Sequence, residues 1–67
     1  MDNKFYSSLD QLPLFLTAAD IAAVLSISLG GAYMLLHSKG FPTLHIGRRM
    51  VAPRERFLEW LDEQLPS

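Results

Sequence analysis

Sixty-seven residues, 49% hydrophobic and 19% charged with no cysteine, make one small globular domain and exclude both disulfide staples and thiolate zinc sites. A chain of this length buries only about 60% of the surface that its unfolded form exposes, so modest stability and a partner or second copy are expected. The net charge of −1 is unevenly spread: between His37 and Arg56 lie Lys39, Arg48, Arg49, Arg54 and Arg56 against Glu55 alone, a net +4, and the remainder is net −5.

Residues 1–12, MDNKFYSSLDQL, show no sustained periodicity and end before Pro13. They are expected to form an arm, with Phe5, Tyr6 and Leu9 available to the core, ahead of a folded domain over residues 13–65. The first sixteen residues lack the basic start, long apolar run and small-residue cleavage site of a secretory signal, so a cytoplasmic location is expected.

Thr17, followed three residues later by Asp20, has the spacing of a capping box, and Leu16 and Ile21 are placed as a hydrophobic staple. A helix starts here, with Ile21, Val24 and Leu25 as its inward stripe. Ser26-Ile27-Ser28 interrupts the pattern, and Ser28 is placed to cap a second helix in which Ala32, Leu35 and Leu36 face inward. Leu29, Gly30, Tyr33, Met34 and His37 then point outward. Gly30 and Gly31 fall in the first turn, where glycine costs roughly 0.5–1 kcal/mol relative to alanine. Gly40 is placed as the helix stop, and Pro42 bars continuation.

Thr43–Ile46 and Arg49–Ala52 are β-prone runs joined by Gly47-Arg48, a pair suited to a II′ hairpin turn with Arg48 and Arg49 at its tip. Pro53 is placed at the first position of a last helix, with Phe57, Leu58, Leu61 and Leu65 on one side and Trp60 beside them. Ile21 to Leu36 is sixteen residues without a charge, short of the roughly 20 that a membrane span requires. It begins beside Asp20 and is broken by serines, so two helices sharing a core are expected and no membrane association.

The order and residues resemble the excisionase and MerR-related family of small winged helix-turn-helix proteins. The resemblance runs through Leu16-Thr17, Ile21-Ala22, Ile27-Ser28, Tyr33, Leu35 and His37-Ser38. It continues through Phe41-Pro42, Ile46-Gly47-Arg48-Arg49, Pro53-Arg54 and Phe57 to Leu61, covering about residues 14–62. It implies a mostly α fold with a short β-hairpin: helix-turn-helix, two-stranded wing, C-terminal helix. It also implies double-stranded DNA as the partner, with the second helix in the major groove and the wing on the backbone. Members include excisionases, which act beside an integrase or recombinase, and small regulators. The family usually has a polar reader after the turn serine, where this chain has Leu29, Gly30 and Gly31, and again where it has Met34.

The expected DNA-binding residues follow from these placements. Arg48 and Arg49 offer guanidinium forks to phosphates, Lys39 and Arg54 add charge, and Ser28 marks a helix N-terminus that favours anions. Leu29, Gly30, Tyr33, Met34, His37 and His45 complete the face. His37 and His45 lack a suitably spaced third ligand, so no metal or other cofactor is expected. No nucleophile elbow or phosphate-binding glycine loop is present, and the chain reads as a non-enzyme. A single copy offers a small interface, so a homodimer or cooperative array on DNA is expected. The rival reading is a winged-helix protein-interaction or dimerisation module that docks through Leu29, Tyr33 and Met34.

Overall fold

A computed structural model describes residues 12–65. Phe5, Tyr6 and Leu9 of the expected arm lie outside the described residues, and Leu12 is partly buried against the core. The chain runs through β1 (Phe15–Leu16), α1 (Ala18–Leu25), α2 (Leu29–His37), β2 (Leu44–Ile46), β3 (Arg49–Pro53) and α3 (Arg54–Gln64). The expected order of helix, helix, hairpin and helix is present, and β1 is an addition to it. This strand pairs antiparallel with β3, Leu16 opposite Ala52, so the sheet has the order β1-β3-β2. Two residues are too few to show an alternation in sequence.

Thr17 and Asp20 form the capping box that starts α1. The Asp20 backbone N–H donates to Thr17 Oγ1 at 3.3 Å, and the Thr17 backbone N–H donates to Asp20 Oδ2 at 3.0 Å. Ser26 ends α1 in the left-handed region at φ 56°, which re-aims the chain within three residues. Ser28 then caps α2, its Oγ accepting from the Gly31 N–H at 3.0 Å. The chain bends by 112° between α1 and α2, in the range of a helix-turn-helix. No single helix among the described residues is long and apolar enough to cross a membrane.

Three helix boundaries differ from the sequence reading, as do two strand ends: β2 starts at Leu44, not Thr43, and β3 runs to Pro53, not Ala52. Helix α2 stops at Ser38 instead of Gly40, because the Ser38 N–H and Oγ both donate to the Leu35 carbonyl and Thr43 Oγ1 donates to the Leu36 carbonyl. Gly40, at φ +86°, belongs to the turn that follows. Pro53 closes β3 and is the N-cap of α3, not its first helical residue. Proline has no capping side chain, and Arg54 N–H finds its partner in the Leu14 carbonyl at 2.7 Å. Leu65 lies past the end of α3 and is 63% exposed, so it leaves the buried side to Phe57 with Leu58 and Leu61.

The core is built from Leu16, Ile21 and Phe57, all fully enclosed, with Ala18, Val24, Ala32, Leu36, Phe41 and Ala52. Alanines at 18 and 32 are buried in this core beside the larger side chains. Phe41 joins α3 to the chain after α2: its ring meets Trp60 edge-on at 4.8 Å and Phe57 at 6.1 Å. In the hairpin, Leu44, His45 and Ile46 lie opposite Val51, Met50 and Arg49. Gly47 takes φ +60° and Arg48 stays at negative φ, the combination a II′ turn requires.

Candidate nucleic-acid interface

The wing tip and the first half of α2 border the same cleft, of about 380 Å³. Its walls are Leu29 and Tyr33 from α2, Arg48, Arg49, Met50 and Val51 from the hairpin, and Thr17 to Ala19 from the start of α1. The sheet register explains the arrangement. With Leu16 opposite Ala52, the chain leaves β1 at Thr17 just beside Val51, so the flank of β3 from Arg49 to Val51 faces α1 and α2 across a gap. Sequence reasoning missed Thr17, Ala18, Ala19, Met50 and Val51 as cleft residues because β1 was not legible.

Four of the expected site residues are thereby brought together: Leu29, Tyr33, Arg48 and Arg49. Gly30, Met34 and His37 are exposed and share the outward face of α2 by helical spacing. Ser28 is exposed at the N-terminus of this helix, with its hydroxyl engaged in the cap. Lys39 lies just past the opposite end of α2, whose nine residues span about 13 Å, and is exposed. His45 sits in the middle of the exposed strand β2, opposite Met50.

Arg54 is held elsewhere. Its guanidinium donates to the Leu12 carbonyl at 2.7 Å, and the residue lines a second groove with Leu14, Phe15, Pro53, Glu55, Arg56 and Glu59. That contact ties the segment before β1 to the start of α3. The second groove carries both signs of charge, whereas residues 21–54, which supply all of α2 and the wing, contain no carboxylate. Asp20, next to that stretch, points its carboxylate into the α1 cap, where Thr17 N–H and Thr17 Oγ1 both donate to it.

The two glycines of α2 differ in their surroundings. A Cβ at Gly31 would lie 3.3 Å from Ser28 Oγ and 3.5 Å from Ile27 Cδ1, so Gly31 serves the close turn of the cap. A Cβ at Gly30 would meet nothing nearer than Ser28 Oγ at 4.0 Å, and Gly30 is exposed. Nothing inside the fold requires glycine there.

Among the described residues, no group of three His, Asp or Glu side chains is arranged to hold a metal ion. A three-helix domain with a 112° helix-turn-helix and a two-stranded wing is a winged helix-turn-helix. The chain belongs to the family described as helix-turn-helix domain, which it matches over residues 15–65 and which includes small excisionase-like DNA-binding proteins. At this level it is a small DNA-binding protein. Comparison with curated proteins and with solved structures gives no significant match.

Proposed function

We propose that the protein binds double-stranded DNA with α2 in the major groove and the Arg48–Arg49 wing tip on the phosphate backbone. It acts as an excisionase-like accessory protein or as a transcriptional regulator; in the first role an integrase or other recombinase is its partner. The observation that carries this reading is the single cleft bordered by Leu29, Tyr33, Arg48 and Arg49, in a stretch of chain free of carboxylates. Guanidinium groups match phosphate oxygens in charge and in planar donor geometry, and a surface without acidic side chains does not repel a polyanion. Lys39 and Ser28 extend the backbone contacts, and Tyr33, His37 and His45 supply further polar groups. A single module of this size covers only about 600–1,000 Å², so two copies bind cooperatively on adjacent half-sites.

Binding of a labelled generic duplex, followed by anisotropy across a salt series, tests this. Each neutralised phosphate contributes about −0.9 to the slope of log K against log salt. Arg48→Ala/Arg49→Ala lowers the magnitude of that slope by about 2 and weakens binding to all sequences alike. An unchanged slope removes the wing from the interface.

A second reading has its own support, because Leu29, Tyr33 and Met34 are 51%, 48% and 74% exposed on one helix. In that case the face docks a protein or a second copy. Leu29→Asp then abolishes association measured by sedimentation, and the double arginine variant leaves it intact.

A further inference from the structure

The outward face of the first two turns of α2 consists of Leu29, Gly30, Tyr33 and Met34. Only Tyr33 among them carries a hydrogen-bonding group. The edges of bases in the major groove offer hydrogen-bond donors and acceptors and one apolar group, the C5-methyl of thymine. A leucine and a methionine cannot pair with the polar edges, but each buries a methyl favourably.

We infer that α2 reads duplex DNA through thymine methyl groups, with Leu29 and Met34 as the contacts and Gly30 as the gap that lets the helix backbone come close. This rests on the reading of α2 as the groove-bound helix. Charge favours DNA over a protein as the occupant of this apolar face. Arg48 and Arg49 border the same cleft as Leu29, and no carboxylate lies anywhere between residues 21 and 54. Gly30 adds a second observation, since the space around it is open on the protein side and its lack of a side chain gains nothing for the fold. The specificity that results is for T-containing steps, and 5-methylcytosine, which carries a methyl at the same ring position, substitutes for thymine.

The test uses the full chain and two pairs of duplexes. In one pair every thymine of an A·T-rich duplex is replaced by uracil, which removes only the methyl; in the other every cytosine of a G·C-rich duplex is replaced by 5-methylcytosine. Burial of one methyl is worth about fourfold in affinity, and of two about fifteenfold. The methylated member of each pair binds tighter by at least the first factor, with parallel salt slopes. Leu29→Ala/Met34→Ala, at two exposed positions where the fold is undisturbed, brings the thymine-to-uracil ratio to one.

Tight binding with equal affinity for thymine and uracil duplexes overturns the inference and leaves duplex binding standing. A ratio that survives Leu29→Ala/Met34→Ala also overturns it, because the methyl then acts through duplex shape. No binding to any of the four duplexes at low salt removes the groove-bound reading itself.

Discussion

Gly30→Ala separates what the fold needs from what the interface needs. The added Cβ projects into open space, with its nearest neighbour, Ser28 Oγ, at 4.0 Å, so no clash opposes it. Alanine is favoured over glycine by up to about 1 kcal/mol in a helix interior; at the second position of α2 about half of that is expected. For a domain of this size such a gain raises Tm by about 2–4 °C, read by circular dichroism. Against DNA the same methyl fills the gap through which the helix approaches. Overpacking of a close contact costs about 1–3 kcal/mol, so affinity for a duplex in the anisotropy assay falls fivefold or more. Gly31→Ala is the control: its Cβ, 3.3 Å from Ser28 Oγ, crowds the cap and cancels the intrinsic gain. A Gly30→Ala protein that is more stable and binds DNA as well as the parent refutes the close-approach argument. One that is less stable refutes the open-space argument.

Thr17→Ala removes the hydroxyl that accepts from Asp20 N–H and costs about 1 kcal/mol, a fall in Tm of about 4–8 °C. Arg54→Met keeps the aliphatic stem and deletes the bond to the Leu12 carbonyl; denaturant titration shows a loss of about 1.5–3 kcal/mol, and DNA affinity at a temperature where both proteins are folded is unchanged. A drop in affinity there puts Arg54 in the interface. Phe57→Ala empties the centre of the core, where Phe57 is fully enclosed and stacks with Trp60 at 6.1 Å, and its cost of about 3–5 kcal/mol leaves the domain largely unfolded by circular dichroism at room temperature.

Where side-chain chemistry acts locally, the sequence was legible. Thr17 with Asp20, Ser28 three residues before Gly31, and Gly47 ahead of Arg48 each satisfy a backbone requirement within a few residues, and each does so in the fold. The outward face of α2 followed from helical spacing alone. What escaped was set by long-range pairing. Strand β1 exists because Phe15 and Leu16 meet Pro53 and Ala52, nearly forty residues away, and the placing of Thr17 to Ala19 in the cleft wall with Met50 and Val51 follows from that register. The same pairing brings Arg54 to Leu12, turning a residue that sequence charge groups with the wing into a tie for the N-terminal segment. Gly40 and Ser38 show a smaller version: glycine is the commoner helix stop, but a serine hydroxyl within reach of the Leu35 carbonyl ended α2 first.

Backbone amide shifts of the isotope-labelled protein, followed as a generic duplex is added at low salt, test most directly whether the α2 and wing face is the DNA surface. The amides from Ser28 to Met34 and from Arg48 to Val51 move together, while Leu14, Phe15 and Glu59 at the second groove stay fixed. Shifts centred on Leu14, Phe15 and the start of α3, with α2 and the wing unmoved, contradict the assignment.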